Sequence, residues 1–321
     1  MKILVLGAGG IGGYYGGRLA EAGADVTFLV RPKRQAQLVL DGLRVKSPLG
    51  DLKLPVRTVL AEGLGPDYDV VLLTCKAYDL DSALDAIAPA LAGPCAVLPL
   101  LNGLSHFERL DQRFGREKVL GGTCAINVTL GKDGLIVHAD ALQKLAFGER
   151  DKSRSARTAA IAEALAKTKI DWELAPDIEQ NLWEKIVFLS ALAAATCCFR
   201  GNVREIISAP GGREAIEHLL QTNSAIAARE GHAPRPAATE FALKRLTDPA
   251  GTWSASMLRD VEAGNAVEAD HVVGWMLDRA RRHGLNDSLL SLAYTHLKTY
   301  EARRAAGRQL PTIDPAQGFG S

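Results

Sequence analysis

The sequence predicts an α/β domain built on a mostly parallel sheet, followed by a domain made only of helices. At the start, "KILVLGAGG", "IGGYYGGRLAEAG" and "ADVTFLVR" have the patterns of strand, helix and strand, which together form a βαβ unit. The continuous apolar runs "YDVVLLTCK" and "CAVLPLLNG" are typical of strands buried on both faces of a parallel sheet. After "TKIDWELAPD" the strand patterns stop, and residues 178–301 are almost entirely helix-periodic.

The remaining segments complete this division into domains. "VLGGTCAINVTL", "GLIVHA" and "ALQKLAFGE" resemble further strands joined by glycine turns, so we expect a sheet of seven or eight strands. We place an α/β domain at residues 1–175, a helical domain at 176–305, and a loosely held tail rich in proline and glycine at 306–321.

Composition narrows the class of protein and of partner. The chain has 321 residues, 47% of them hydrophobic, and a net charge of +1, which fits a soluble protein large enough for two domains. The balanced charge argues against nucleic acid or an anionic membrane surface as the main partner, so we expect a small molecule. The apolar run 186–199 is too short to span a bilayer, and we expect a core helix there and no signal peptide. A homodimer is compatible with the sequence, which does not fix the oligomeric state.

The cysteines and histidines form no recognisable disulfide or metal-binding pattern. The five cysteines lack CxxC spacing, and we expect buried, reduced thiols in a cytoplasmic protein. The seven histidines are scattered without HxxxH or HxxE spacing, so no metal site is expected.

A glycine-rich motif follows the first strand and opens the first helix. In G-x-G-x-x-G the first glycine permits a tight turn, the second allows the backbone to approach a pyrophosphate, and the third allows close packing of helix on strand. The helix N-terminus faces the anion. We therefore expect a Rossmann-like dinucleotide site on the loop formed by Gly7, Ala8, Gly9, Gly10, Ile11 and Gly12.

Cofactor choice depends on the end of the second strand, where enzymes that bind NAD usually have an acidic residue for the ribose hydroxyls. Here the strand "DVTFLV" ends at Arg31, and the nearby acid, Asp25, lies at its opposite end. Arg31, with Lys33 and Arg34 behind it, can pair with the 2'-phosphate of NADP(H), which is the favoured cofactor. The alternative is a solvated basic start of a helix, which would leave the missing acid unexplained.

Two polar residues follow later strands, at the end of an open α/β sheet where ligands bind. Lys76 follows "VVLLTC", and Asn102 follows "AVLPLL". Asn102 precedes a glycine and could also belong to a plain Asn-Gly turn, and Lys76 could be only a surface strand terminus.

Several motifs, taken in order, carry a resemblance to a known family. "LGAGGIGGYYGGRLAEAG", "LVR", "CKAYDL", "LNG", "LWEK" and "SMLRDVEAGNAVEAD" together resemble the ketopantoate reductase (2-dehydropantoate 2-reductase) family over nearly the whole chain. The resemblance implies a Rossmann-like domain followed by an all-α domain, as in the 6-phosphogluconate dehydrogenase-like group. It also implies NADPH-dependent reduction of a 2-oxo acid to a 2-hydroxy acid, with the substrate in a cleft between the domains.

The resemblance makes Lys185 of "LWEK" the proton donor. Hydride arriving at a ketone carbon creates negative charge on the oxygen, which a cation within hydrogen-bond reach stabilises and can protonate. The alternative is a lysine that extends from the start of its helix into water.

The same resemblance implies roles for other residues. Glu268 in "NAVEAD" would be the catalytic carboxylate that partners Lys185 and would help to bind and orient the substrate's hydroxyl beside the reacting carbonyl, and Ser256 in "SASML" would contact the substrate. Asn102 would bind substrate and cofactor, and Lys76 would bind cofactor. Helical spacing also predicts that Glu268 faces inward, because it shares an apolar stripe with Val272, Trp275 and Met276. The alternative for Glu268 is a carboxylate favoured by the dipole at a helix N-terminus.

Two positions depart from the family pattern. Leu189 and Ala193 follow Lys185 at i+4 and i+8 on one helix face, where the well-known pantoate-forming enzymes have substrate-contacting asparagines. Apolar residues there remove polar contacts and predict a bulkier or more apolar substrate. The alternatives to a ketopantoate reductase are therefore a related NADP-dependent oxidoreductase acting on a different 2-oxo acid and a non-catalytic NADP(H)-binding sensor or interaction protein.

Overall fold

The computed structural model describes residues 1–308, which form two compact units. The first unit contains residues 1–101 and 106–182, and the second contains Asn102–Ser105 and the chain from Trp183 onward. This division falls later than the boundary expected at residue 175, which stays a prediction. Most of the expected tail at 306–321 lies outside the described residues.

All strands within residues 1–308 belong to the first unit. They are β1 (Lys2–Leu6), β2 (Asp25–Leu29), β3 (Leu43–Lys46), β4 (Leu52–Leu54), β5 (Arg57–Val59), β6 (Val70–Leu73), β7 (Ala96–Pro99), β8 (Gly121–Leu130), β9 (Leu135–Gly148) and β10 (Asp171–Leu174) among the described residues.

The α-helices of the described chain are more evenly distributed. They are α1 (Gly10–Glu21), α2 (Pro32–Asp41), α3 (Leu80–Ile87), α4 (Ser105–Phe114), α5 (Ala156–Ala166), α6 (Ile178–Phe199), α7 (Val203–Ser208), α8 (Gly212–Arg229), α9 (Pro236–Leu246), α10 (Ser256–Glu262), α11 (Trp275–Arg282) and α12 (Ser288–Ala305).

A parallel sheet of five strands, in the order β5-β2-β1-β6-β7, forms the centre of the first unit. Its strands β6 and β7 are the continuous apolar runs that the sequence identifies as buried on both faces, and both are buried at every position. The predicted fold class, an α/β domain with a parallel sheet followed by a helical domain, is confirmed.

The expectation of one sheet with seven or eight strands is wrong, because the later strands form a separate sheet. That sheet has the order β10-β9-β3-β4, with β8 also paired to β9. The turn at Gly131–Gly134 returns the chain on itself, with Gly131 N donating to the Leu135 carbonyl, so β8 pairs antiparallel with β9. Val119 forms an isolated bridge with Val97 of β7, and after Val119 the chain leaves the first sheet.

Helix α1 lies between the two sheets and is buried on both sides. Gly16 packs against the first sheet, where a Cβ would crowd the Phe28 ring, and Gly17 packs against Leu43 and Leu52 of the second sheet. Tyr14 and Tyr15 are fully buried on α1, and their hydroxyls donate to Gln143 Oε1 and the Lys144 carbonyl of β9. The apolar core of the unit therefore extends from the parallel sheet through α1 to the second sheet.

Helix α6 is the central element of the helical unit. It is buried from Ser190 to Cys197. Asn223 of α8 donates a hydrogen bond from its side-chain amide to the Val187 carbonyl of α6, at 3.1 Å. By length and composition it is the one described helix apolar enough to cross a membrane, but 67% of its apolar stretch is buried within the protein. It has the burial of a core helix.

The cysteines form no disulfide within the described residues, which include all five. Burial raises the pKa of Cys95 and of Cys197 to about 12, so both thiols are protonated at neutral pH and are poor nucleophiles. No group of histidine, cysteine and acidic side chains with metal-binding geometry occurs in residues 1–308.

Candidate functional site

The glycine-rich loop connects β1 to α1 at the carboxyl edge of the parallel sheet. Gly7 has a φ of +90°, which side chains rarely tolerate, and its N–H donates to the Leu29 carbonyl at 2.9 Å. A Cβ at Gly12 would overlap the Gly7 carbonyl and the Thr74 hydroxyl. Only glycine at this position therefore allows α1 to pack this closely against the loop that follows β1. Gly9, at the N-cap of α1, provides no side-chain cap. The first turn of α1 thus presents backbone N–H groups suited to an anion.

The three basic residues after β2 differ in orientation. Arg31 is the N-cap of α2, with a side chain 79% exposed and its Nη2 at 3.5 Å from Asp79 Oδ1. Lys33 is also exposed. Arg34 instead turns inward, and its Nε donates to the Ala8 carbonyl at 3.1 Å. Arg31 and Lys33 therefore remain candidates for a 2'-phosphate, whereas Arg34 is committed to the loop.

Lys76 lies at the same edge of the sheet. It follows β6, which is the direct neighbour of β1 in a parallel arrangement, so the two strands end side by side. Lys76 is half-buried and precedes a short 3₁₀ turn that contains Asp79. The structure thus brings the glycine-rich loop, Arg31 and Lys76 to one edge of the first unit.

Asn102 follows β7 but packs with the helical unit. The next residue, Gly103, has a φ of +83°, and a Cβ there would overlap the backbone carbonyl of His271. Ser105 Oγ lies 2.8 Å from His271 Nδ1. These two contacts fix the Asn102 segment against the turn that follows Glu268.

That turn is π-helical, over Asp270–Gly274, and begins two residues after Glu268. Such turns often occur at functional sites. Glu268 is buried, at 6% exposure, which agrees with the inward orientation that its spacing predicts. The wider turn shifts the helical register, so the straight α-helical stripe used for that prediction is interrupted here.

Asp270 anchors the π-helical turn to α12. Its carboxylate accepts hydrogen bonds from the Tyr294 hydroxyl at 2.7 Å and from Lys298 Nζ at 3.1 Å. Burial acts to raise the pKa of Asp270, but these hydrogen bonds and the charge of Lys298 outweigh it and lower the pKa. The turn after Glu268 is therefore held by Gly103 and Ser105 as well as by α12.

Lys185 is half-buried in the second turn of α6. Trp183, two residues earlier, has its ring centroid 5.3 Å from His232 and 5.3 Å from Trp275. Glu184 pairs with Arg235 at 2.6 Å. Because Trp275 directly follows the π-helical turn, the Trp183–Trp275 contact places the Trp183 turn of α6 beside α11.

Leu189 and Ala193 lie one and two turns after Lys185 on α6. Leu189 is half-buried, and Ala193 is 1% exposed. Ser256 is the first residue of α10, and its neighbour Ala255 donates its N–H to Thr196 Oγ1 of α6 at 3.3 Å. The predicted substrate and catalytic residues therefore share the helical unit: Asn102, Lys185, Leu189, Ala193, Ser256 and Glu268.

Sequence reasoning missed Ser105, His271 and the inward role of Arg34. Ser105 and His271 are 166 residues apart, and no spacing pattern connects positions so distant. Arg34 carried a signal, since it follows the second strand by a few residues, but the sequence does not show that it turns under the loop.

The strand, glycine-rich loop and helix, joined to a second unit that is helical in the described residues, define a class of dinucleotide-binding α/β proteins. The model of the family described as "Ketopantoate reductase PanE/ApbA" matches residues 3–152, and that of its C-terminal region matches residues 177–301. The chain therefore belongs to the ketopantoate reductase PanE/ApbA family of oxidoreductases, which confirms the resemblance seen in the motifs.

Individual relatives agree with this assignment. The "Uncharacterized oxidoreductase YkpB" of Bacillus subtilis is 36% identical over 304 residues, covering 95% of this chain and 100% of the relative. The structure of 2-dehydropantoate 2-reductase from Geobacter metallireducens matches with a TM-score of 0.84 and 25% identity, covering 93% and 99% of the two chains. D-mandelate dehydrogenase, solved with NADH and anilino(oxo)acetate, matches in fold with a TM-score of 0.84 at 18% identity, over 95% of this chain and 100% of that one.

Proposed function

We propose that this protein reduces a 2-oxo acid to a 2-hydroxy acid with NADPH, with 2-dehydropantoate as the default substrate and pantoate as its product. The observation that carries the proposal is the pairing of a glycine-rich loop suited to a pyrophosphate with a helical unit in which Asn102 is held against the turn after Glu268. Family membership supports the oxidoreductase chemistry. With 2-dehydropantoate as substrate, the enzyme would serve pantothenate biosynthesis as a soluble cytoplasmic protein.

The choice of NADPH rests on Arg31. Its guanidinium is largely exposed at the end of β2, and its Asp79 contact is a surface ion pair, which costs little to rearrange. A bidentate guanidinium matches the geometry of a phosphate group. The competing cofactor is NADH, which the D-mandelate dehydrogenase structure contains.

Lys185 is the group that we propose as proton donor. When bound, NADPH supplies a hydride to the carbonyl carbon of the substrate, and negative charge develops on the carbonyl oxygen. An ammonium group at that oxygen stabilises the charge and donates a proton to form the hydroxyl. Lys185 is half-buried on the central helix, so its side chain can be held in place by packing.

The other residues position the substrate. We propose that Glu268 accepts a hydrogen bond from the substrate's hydroxyl group, and that Asn102 and Ser256 contact its polar end. Buried Glu268 comes just before the turn that is held by Gly103, Ser105 and α12, so its backbone is positioned before the substrate arrives. Lys76 would bind the cofactor from the first unit.

A second candidate is the reduction of a more apolar 2-oxo acid, and Leu189 and Ala193 favour it. On the helix face that follows Lys185, these residues offer no hydrogen bond to a polar substrate. A site with apolar walls discriminates weakly in favour of a hydroxyl-bearing substrate. D-mandelate dehydrogenase is similar to this chain in fold alone. Its name shows that another protein with this fold acts on an aromatic 2-hydroxy acid.

The test is a panel of 2-oxo acids, from 2-dehydropantoate to branched and aromatic acids, assayed by the absorbance of NADPH and of NADH. We expect turnover with NADPH, and binding of NADPH at least tenfold tighter than that of NADH. Equal affinities would contradict the choice of cofactor. Binding of NADPH without turnover of any acid would favour a non-catalytic NADP(H)-binding protein.

The substrate ranking separates the two candidates. A strict preference for 2-dehydropantoate would support the default substrate and contradict the apolar alternative. Equal or better turnover of acids with larger apolar groups would support the alternative. Sedimentation of the purified protein tests, independently of activity, whether it forms the homodimer with which the sequence is compatible.

A further inference from the structure

Arg34 is placed underneath the glycine-rich loop. From the first turn of α2 its Nε donates to the Ala8 carbonyl at 3.1 Å, and its Nη1 donates to Gln37 Oε1 at 2.6 Å and to the Gly134 carbonyl at 3.2 Å. Gly134 lies in the turn between β8 and β9. One guanidinium therefore connects the loop to the second sheet of the same unit.

The contact with Ala8 determines which way one peptide of the loop faces. In a trans peptide the carbonyl and the following N–H point in opposite directions. Because the Ala8 carbonyl turns toward Arg34, the N–H of Gly9 turns to the other side of the loop. A Cβ at Gly9 would meet no atom within 4 Å, so there is free space beside this residue of the loop. Without Arg34 the peptide could rotate and present a carbonyl to the cofactor.

The charge of Arg34 is not balanced by a carboxylate within residues 1–308. Its hydrogen-bond acceptors are neutral carbonyl oxygens, and its Nη2 is buried without a hydrogen-bond partner in this part of the chain. Burial lowers the pKa of Arg34, and the nearby charge of Arg44 lowers it further. Arg44 has its own partner in Asp133. A half-buried cation of this kind is stabilised when an anion binds close to it.

We propose that Arg34 is a positioning residue of the dinucleotide site: it fixes the Ala8–Gly9 peptide with its N–H toward the pyrophosphate and places a positive charge behind the loop. The proposal rests on the proposed function only in requiring that the loop binds a dinucleotide. Because the pyrophosphate is common to both nicotinamide cofactors, Arg34 raises the affinity for NADPH and NADH by the same factor. Arg31, by contrast, acts on the 2'-phosphate and raises the affinity for NADPH alone.

The experiment compares Arg34→Met with Arg31→Met by fluorescence titration of NADPH and of NADH, without any substrate. Each change replaces one arginine by methionine, Arg34 in the first turn of α2 and Arg31 at its N-cap. Each removes one positive charge, so the two variants differ only in the position of the lost charge. We expect Arg34→Met to weaken both cofactors by an equal factor of about tenfold to hundredfold. Arg31→Met is expected to weaken NADPH and to leave NADH within about twofold.

Circular dichroism and thermal melting establish that the variants are folded. If Arg34→Met does not fold, Arg34→Gln takes its place, since it keeps a neutral N–H donor near the loop while the charge is lost. It is also expected to weaken both cofactors equally. The proposal is overturned if a folded Arg34 variant binds both cofactors normally, or if it loses affinity for NADPH only. Failure of the unmutated protein to bind either cofactor would instead overturn the proposed function.

Discussion

The two candidate sites of this protein are built in different ways. The glycine-rich loop of the first unit uses backbone groups from six consecutive residues, 7–12, whose conformation follows from glycine and from the start of a helix. The candidate site of the helical unit uses side chains from four separate segments, brought together by contacts such as Ser105–His271 and Trp183–Trp275. A local backbone site can be recognised in a sequence, whereas a site of dispersed side chains depends on the fold.

The groups suited to binding a cofactor and the groups suited to proton transfer lie in different units. The loop of the first unit presents N–H donors, which can hold a pyrophosphate but cannot donate a proton to a substrate at neutral pH. The titratable candidates, Lys185 and Glu268, are in the helical unit. Changes in the first unit should therefore alter cofactor affinity, and changes in the helical unit should alter turnover and substrate affinity.

The largest effect is expected from Lys185→Ala. The lysine acts on charge that develops only as hydride is transferred, so kcat should fall by about a hundredfold to a thousandfold while NADPH binding changes little. Steady-state kinetics and a separate fluorescence titration of NADPH measure the two quantities. Glu184→Gln is the neighbouring control, because Glu184 pairs with Arg235 and has no proposed role in the reaction. Near-normal turnover by folded Lys185→Ala would show that another group donates the proton.

Glu268→Ala should affect substrate binding as well as turnover. Its proposed hydrogen bond exists before the chemistry begins, so KM for the oxo acid should rise as well as kcat fall. A change in kcat with unaltered KM would place Glu268 with Lys185 in proton transfer and contradict its role in substrate binding.

The next largest effect is expected from Gly103→Ala. Alanine is strained at a φ of +83°, and its Cβ would overlap the His271 carbonyl, so the Asn102 segment must move away from the turn after Glu268. We expect a loss of about 1–3 kcal/mol in stability and about a tenfold rise in KM. Gly284→Ala is the control in the same unit, since Gly284 has a φ of +63° with no neighbouring atom within 4 Å. If both variants lost stability but neither raised KM, the Gly103 contact would be structural only.

A smaller effect is expected from Leu189→Asn. This change restores a polar group on the helix face after Lys185, and Leu189 is only half-buried, so the fold should tolerate it. The ratio of kcat/KM for 2-dehydropantoate to that for a bulky apolar acid should rise by about tenfold. Phe199→Asn, at the exposed end of the same helix, is the control. An unchanged ratio would show that Leu189 does not face the substrate.

Local sequence patterns determine some parts of this molecule, and tertiary contacts determine the others. The loop 7–12, the strands around it and the long helical half have local patterns, and the fold class follows from them. The second sheet was missed because β8 and β9 look like continuations of the first sheet until their antiparallel pairing is seen. Lys185 and Glu268 were assigned through resemblance, since spacing along the chain does not show which residues of distant segments the fold brings together.

The smallest effect is expected from Tyr294→Phe, which weakens the anchoring of the turn after Glu268 to α12. The hydrogen bonds to Asp270 lower its pKa in the folded protein, so they stabilise the ionised form. That stability is present above the ordinary pKa of 3.8 and is lost as the pH falls through the lower folded value. Because Asp270 is about half exposed, the contribution is expected to be below about 1 kcal/mol. Thermal midpoints should therefore differ slightly between the unmutated protein and Tyr294→Phe at pH 7 and converge only as the pH falls below 3.8 through the lower folded pKa of Asp270. A difference that stayed constant with pH would mean that Tyr294 acts through packing, and that Gly103 and Ser105 hold the turn without help from this carboxylate.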